Sequence, residues 1–280
     1  MTLPEVVPRP LRARWLLPFV AVAVGFALWQ GTRGLHWREL RPGVEFTSLS
    51  GDPYCRLGSS AVAVLRFDPH RIRLRVHHYS HEGAERPPSI IEWQRATGAL
   101  AVFNAGQYYP NWKYMGLLVS GGDTISSRTH AGYQAALVAR GSAKNFAARI
   151  VDLSRSRLTP RSGWTDVAQS FMLFDRAGVL RVRHSQRIAN RTIVAEDRRG
   201  RLVVLVTEGS YTLAEFATLL QRSPLQLTQA MSMDGGIESE LVVQSGSFRY
   251  ASFGRWLREH EPDAPGARVP LPAVITLAAE

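Results

Sequence analysis

Several short polar stretches stand where an apolar run begins or ends, and each holds residue types that can meet a ligand. Asn104-Ala105-Gly106 follows "LAVF", and Gln169-Ser170 precede "FML". Asn190-Arg191-Thr192 open one apolar run and Glu208-Gly209 close the next. Asp234-Gly235-Gly236 follow "QAMSM", with Glu238, Ser239 and Glu240 just beyond. The ends of strands are where a rigid sheet presents functional loops, and glycine lets backbone approach a ligand closely. Taken one at a time, each stretch reads as a turn or a cap. Asp234-Gly235 between β-rich segments reads first as a hairpin turn.

Many familiar chemistries are excluded. No G-x-S-x-G elbow is present for a serine nucleophile. Neither a phosphate loop ending in Gly-Lys-Ser/Thr nor a G-x-G-x-x-G after a strand occurs, and none of the eight histidines forms H-E-x-x-H. His77, His78 and His81 in "HHYSH" are spaced for a metal, but they close a strand that reads as exposed. No cofactor or metal is therefore expected. The lone cysteine, Cys55, rules out an intrachain disulfide and reads as an ordinary half-buried residue.

The elements that must position these residues read mainly as strands. "SAVAVLRFD", "ALAVFNAGQYY", "MGLLVSGGD" and "QAALVAR" are apolar runs that end in turn residues. "SFMLFDRAGVLRV" reads as a hairpin about Arg176-Ala177-Gly178, and "RTIVAEDRRGRLVVLVTEG" as a second, with Arg198, Arg199 and Arg201 solvated at its turn. In "HRIRLRVHH", Arg71, Arg73 and Arg75 alternate with Ile72, Leu74 and Val76, so the arginines share one face of a strand. One helix starts at Thr212, with Glu215 at capping-box spacing, and stops at Pro224. A second covers "SIIEWQRATG". Many strands and few helices, without steady alternation, predict an α+β fold with a mixed, largely antiparallel sheet core and a few packed helices.

The chain has 280 residues, 45% of them hydrophobic, enough for a core of ordinary size. Residues 1–34 have the layout of an export signal: Arg9, Arg12 and Arg14 precede the uncharged apolar run Trp15 to Trp29. With no clean small-residue cleavage site after it, an uncleaved signal anchor is expected, and a cleaved signal is the alternative. Residues 35–280 would then form one domain facing the periplasm or the cell exterior. The net charge is +11, almost all of it arginine, since only Lys113 and Lys144 are lysine. That balance favours anionic partners. The scattered arginines and the export signal argue against nucleic acid.

Together the stretches form a pattern. N-A-G, G-L-x-V-S, Q-S-F, N-R-T-x-x-A-x-D-x-x-G-R, a strand ending in an acid and glycine, a Thr-Leu helix and D-G-G-x-x-S follow one another in order. This order resembles the phosphodiester glycosidase family across roughly Val44 to Phe253, most specifically from Gln169 to Val243. Two places depart from it. Many members continue the acid with three glycines and then serine, whereas here Ile237 and Glu238 come before Ser239. Many have two aromatics after N-A-G, where this chain has Gln107-Tyr108.

The resemblance implies cleavage of a sugar–phosphodiester bond at the anomeric carbon, on an envelope glycan or glycoconjugate. A phosphodiester leaves as a stable anion, so no strong general acid is needed. On that basis Arg191 would grip the phosphate through its fork. Asp234 would act as base or nucleophile, and Glu208 as a second acid. Asn104, Gly106, Gln169, Ser170, Ser239 and the backbone at Gly235 and Gly236 would contact substrate. The alternative is a relative that binds a phosphate-containing envelope polysaccharide without cutting it.

Overall fold

The computed structural model describes residues 35–142, 145–158, 163–255 and 268–279. The expected signal anchor lies outside the described residues. Among the described residues no helix is long and apolar enough to cross a membrane. Residues His36–Glu280 form one compact unit.

Two antiparallel sheets share a core. The larger contains β1 (Arg38–Arg41), β2 (Val44–Ser50), β3 (Ala61–Phe67), β6 (Leu118–Ser120), β7 (Asp123–Ser126), β8 (Ala135–Ser142), β9 (Asn145–Asp152), β10 (Asp166–Phe174), β11 (Arg191–Asp197), β12 (Leu202–Thr207) and β13 (Leu227–Gly235). Its strands run in the order β1-β2-β3-β12-β11-β13-β10-β6-β7, with β8 and β9 branching from β10. The smaller sheet contains β4 (Arg73–His78), β5 (Ala101–Asn104), β14 (Leu241–Ser245), β15 (Phe248–Ser252) and β16 (Ala273–Ala278), in the order β15-β14-β5-β16-β4.

Period-two alternation builds the interface between them. Leu65, Phe67, Val204, Val206 and Met231 of the larger sheet join Leu74, Val76, Phe103, Val243, Ile275 and Leu277 of the smaller in one buried cluster. Full burial of such a side chain contributes about 1.5–3 kcal/mol. In β4 the alternation appears as read, with Leu74 and Val76 buried and Arg73 and Arg75 half-buried.

Two helices are present among the described residues. The first, α1 (Ile90–Thr97), is capped by a reciprocal Ser89–Glu92 box and ends at Gly98 in the left-handed region, φ +58°. It packs Ile90 and Trp93 against Val102, Val242 and Val274 of the smaller sheet. The second, α2 (Leu213–Arg222), starts at Thr212, whose hydroxyl accepts the Glu215 N–H at 3.2 Å.

Several expectations need correction. Sixteen strands against two helices make the fold predominantly β, and every strand pairing is antiparallel rather than mixed, among the described residues. The expected hairpin after β10 shrinks to a turn and a single bridge, Phe174 to Leu180. The reason is Asp175: its buried carboxylate accepts the N–H groups of Ala177 and Val179 and pairs with Arg181, which holds the chain in a turn. Of the arginines at the β11–β12 turn, Arg198 and Arg199 are exposed, but Arg201 pairs with Asp197 and Glu45. His77 and His78 are buried rather than exposed. His77 meets Glu82 and Thr276 at 2.7 and 3.0 Å, and His78 meets Ser80 at 2.8 Å.

Candidate active site

The stretch Asp234-Gly235-Gly236 is not a hairpin turn. It ends β13 in the larger sheet, and after the short helical turn Gly236–Glu238 the chain enters β14 in the smaller sheet. Asp234 therefore sits at a crossover between sheets. Its main chain is tied to the end of β5: its N–H donates to the Ala105 carbonyl at 3.1 Å, and its carbonyl accepts from Asn104 Nδ2 at 3.0 Å. Glycine is required on both sides of the crossover. A Cβ on Gly235 would lie 2.7 Å from the Asn190 carbonyl oxygen, and Gly236 has φ +81°.

The Asp234 carboxyl is held by few groups. Its Oδ1 accepts the Gly235 N–H at 2.9 Å, and Gln107 hydrogen-bonds it from the loop after β5. Burial disfavours its charge, the nearby Glu238 adds repulsion, and the pKa rises to about 7 although Gly235, Gln107 and Arg191 pull the other way. The Tyr133 hydroxyl donates to Gln107 Oε1, and the Tyr133 ring stacks on His130 with centroids 4.1 Å apart. Tyr133 also lines a cavity of about 410 Å³ with His130, Gln134 and Arg157, which Asp234 does not reach.

Arg191 opens β11 and pairs in register with Gly235. Its Nε and Nη2 donate to the Tyr211 carbonyl at 2.9 and 2.8 Å, and Nη2 also reaches the Arg187 carbonyl at 3.0 Å. These bonds fix the guanidinium plane and leave Nη1 without a hydrogen bond among the described residues, beside Gly235. Burial lowers the Arg191 pKa to about 10 against the favourable pull of Asp234, so the group stays cationic at neutral pH.

Two further acids crowd the crossover. Burial raises the Glu238 pKa, while its own N–H and the Tyr108 hydroxyl, 3.3 Å from Oε1, oppose the shift. Glu240 is fully buried, and neither of its carboxyl oxygens has a hydrogen-bond partner among the described residues. Burial first and Glu238 second raise its pKa to about 8, offset in part by Arg268. Burial first, then the charges of Glu238, Asp234 and Glu240, raise the pKa of Tyr108. Among the described residues no group of three or more His, Cys, Asp or Glu is arranged to hold a metal ion.

The sequence-derived candidates divide into three groups. Asp234, Arg191, Gly235 and Gly236 come together. However, the N–H of Gly235 is taken by Asp234 and that of Gly236 by the Asn190 carbonyl at 3.0 Å, so neither is spare for substrate. Asn104, Gly106, Gln169, Ser170 and Ser239 are buried, and their polar groups bond within the protein. Asn104 Oδ1 accepts from Thr192 Oγ1 at 2.7 Å and from the Glu240 N–H at 3.2 Å. Ser239 shares that network through Thr192 at 2.8 Å. Gly106 donates to the Tyr114 hydroxyl at 3.0 Å, and Ser170 donates to the Ser232 carbonyl at 2.5 Å. Gln169 spends all four of its hydrogen bonds on Leu117, His130 and Tyr133. Glu208 stands apart. It is exposed, it accepts from Ser59 at 3.1 Å and Tyr250 at 3.3 Å, and it lines a cavity of about 150 Å³ with Ser252, Phe253 and Arg255 that Asp234 does not line.

Gln107, Tyr108, Tyr133, Glu238 and Glu240 were missed as candidates. The signal for three of them was present: Gln107-Tyr108 and Glu238 stand where the chain departs from the family pattern.

A family model for phosphodiester glycosidases matches residues 97–275. No curated protein matches the chain. Among solved structures, a hypothetical protein from Synechocystis is similar at 14% identity and TM-score 0.62, covering 89% of this chain; the chain spans 64% of that protein. The zebrafish N-acetylglucosamine-1-phosphodiester alpha-N-acetylglucosaminidase catalytic domain, auto-inhibited by its pro-peptide, is similar at 13% identity and TM-score 0.58, covering 89% of this chain and 85% of that one. An exported protein from Burkholderia pseudomallei is similar at 12% identity and TM-score 0.51, over 82% and 76% of the two chains. At these identities the structures speak for the fold. With its motifs in order and the family model matched over most of the body, the chain belongs to the phosphodiester glycosidase family.

Proposed function

We propose that this chain hydrolyses a glycosyl-1-phosphate diester at the anomeric carbon. One observation carries the reading: the half-buried Asp234 carboxyl is held at a sheet crossover beside a guanidinium whose Nη1 has no hydrogen bond among the described residues. Arg191 is pinned through Nε and Nη2, so Nη1 can meet a phosphate oxygen without rearrangement, which favours a preorganised site. Asp234 ionises near neutrality and serves as base for water or as nucleophile. Asn104 acts through Asp234, by holding its carbonyl, rather than on the sugar. Glu208 has no part in this reading. Because a phosphate ester departs as a stable anion, one carboxylate is enough.

The basic and apolar residues 1–34 support an exported, membrane-anchored placement, and with it a phosphate-bearing envelope glycan as the substrate. The binding-only alternative expects a cationic cleft. Here the acids Glu238 and Glu240 crowd Asp234, which suits catalysis better than the capture of a polyanion.

The test uses the full chain and its Asp234→Asn and Arg191→Ala variants. Each is incubated with UDP-N-acetylglucosamine and a panel of other sugar-1-phosphodiesters, and free sugar is followed by mass spectrometry. Release by the wild type and loss in both variants supports the assignment. Full activity in both variants, or no release from any substrate, defeats it.

A further inference from the structure

Three arginines gather around Trp164, and hydrolysis at Asp234 uses none of them. Val138 of β8 pairs in register with Arg149 of β9, so Arg140, two residues after Val138, shares their face of the sheet. The guanidiniums of Arg140 and Arg149 lie over the Trp164 ring, their Cζ atoms 5.3 and 5.2 Å from its centroid. Arg157 joins them around a cavity of about 350 Å³. None of the three has an ion pair or a side-chain hydrogen bond among the described residues, whereas the neighbouring Arg155 and Arg176 are paired with Asp152 and Glu196.

Stacking on an aromatic ring holds a guanidinium by its face and leaves the N–H donors at its edge free for an anion. No acid lines the cavity. It shares Ser156, Arg157 and Leu158 with the cavity of about 410 Å³ at Tyr133, which no acid lines either. The Tyr133 hydroxyl in turn donates to Gln107, which hydrogen-bonds the Asp234 carboxyl. A trough without acids thus leads from the group that holds Asp234 to Trp164.

We propose that this trough is a binding subsite for an anionic glycan chain, whose phosphates lie on Arg140, Arg149 and Arg157 while another of its linkages is presented to Asp234. The inference rests on hydrolysis of a glycosyl-1-phosphate diester at Asp234, and it makes the substrate a polymer rather than a nucleotide sugar. Size supports a chain. A cavity of roughly 300–1,000 Å³ holds one small ligand. Several sugar units are therefore needed to lie in both cavities and still reach Asp234. Shape disfavours a membrane surface, which meets protruding cations, whereas these cations line concavities. A nucleic acid would be led to a site that has no anomeric phosphate to cut in it.

The experiment compares the full chain with its Arg140→Gln/Arg149→Gln double variant. Both side chains are exposed, so the variant should fold, and matching thermal melts check this. Binding is measured to dextran phosphate, plain dextran, single-stranded oligodeoxythymidine and phosphatidylglycerol vesicles. Dextran phosphate carries the charge of the proposed chain without an anomeric phosphate to cleave. Wild type should bind it more tightly than the other polymers. The double variant should bind it about tenfold or more weakly, and the slope of log Kd against log salt should fall by about one unit per arginine, as for phosphate contacts to nucleic acids. Hydrolysis of nucleotide sugars should be equal in the two proteins. Equal binding of dextran phosphate by both proteins overturns the subsite. So does equally tight binding of plain dextran or oligodeoxythymidine by wild type, or a loss of vesicle binding in the double variant. Arginine-dependent binding of dextran phosphate without hydrolysis of any sugar-1-phosphodiester supports the subsite and defeats the hydrolysis alone.

Discussion

Asn104 donates from Nδ2 to the carbonyl of Asp234 at 3.0 Å, while its Oδ1 accepts the N–H of Glu240 at 3.2 Å and the hydroxyl of Thr192 at 2.7 Å. One amide at the end of β5 thus holds both ends of the acidic crossover. Asn104→Ala removes all of these bonds from a buried place, which should cost about 2–4 kcal/mol. The displaced carboxyl should also lower kcat by about 10²-fold with little change in KM. Urea unfolding and steady-state kinetics check both. A stable variant with unchanged kcat would remove Asn104 from the positioning of Asp234.

Asp234 should make the protein less stable as pH rises. In the folded chain its carboxyl keeps a proton up to about pH 7. In the unfolded chain an aspartate loses it near pH 4. Between those values the folded state binds more protons, so stability is greatest at the acid end and falls as pH rises through about 7. The loss is on the order of 2–4 kcal/mol, the lower figure allowing for the partial exposure of the side chain. Glu240 adds a slope of the same sign that reaches to about pH 8. Asp234→Asn removes the first slope. It should melt near or below wild type at pH 5 and above it at pH 8.5, by calorimetry. Parallel curves for the two proteins would show that the carboxyl is not held protonated.

The sequence revealed most where the signal is local. The cap at Thr212, the helix within "SIIEWQRATG", the β11–β12 hairpin and the alternation in β4 all depend on neighbours within a few residues, and all appear as read. The D-G-G motif and Asn190-Arg191 stood out for a similar reason, since glycines beside polar residues at strand ends are visible in one dimension, and the fold brings them together at the crossover. What stayed hidden is where a side chain spends its hydrogen bonds. Asn104, Gln169 and Ser239 looked like ligand contacts, yet their partners lie far along the chain, as Gln169 with Leu117 and His130 shows. Gln107 and Tyr133 were hidden for the same reason, since they join only when the loops after β5 and before β8 meet. The Asp-Gly pair misled because a hairpin and a crossover share turn chemistry, and only pairing with β11 and β10 on one side and β5 on the other tells them apart.

Glu208 tests how far family order alone can assign a role. Its carboxylate is exposed and rests on Ser59 and Tyr250. Glu208→Gln keeps the shape and can still hydrogen-bond both hydroxyls. It should hold kcat/KM within about threefold, and stability within about 0.5 kcal/mol, as for surface substitutions generally. A loss of about 10²-fold on a sugar-1-phosphodiester would return Glu208 to the reaction as a second acid.

Gly254 should control the crossover from outside it. A Cβ there would lie 2.1 Å from the Gly236 carbonyl oxygen and 2.7 Å from the Ile237 carbonyl carbon, contacts with main chain that no rotamer can relieve. Gly254→Ala must therefore push the turn between Asp234 and Glu238, or move the segment after β15 that packs on it. The expected cost is about 1–3 kcal/mol, the range for overpacking, and kcat should fall because Asp234 moves relative to Arg191. Gly246 provides the comparison. It has φ +56° but open space around it, so Gly246→Ala carries backbone strain of about 1 kcal/mol without touching the turn. Thermal melts should place both variants below wild type, while kinetics should separate them, with turnover reduced only in Gly254→Ala. Equal turnover in the two would mean that the crossover tolerates displacement, and that the Asp234 carboxyl is positioned by Asn104 and Gln107 alone.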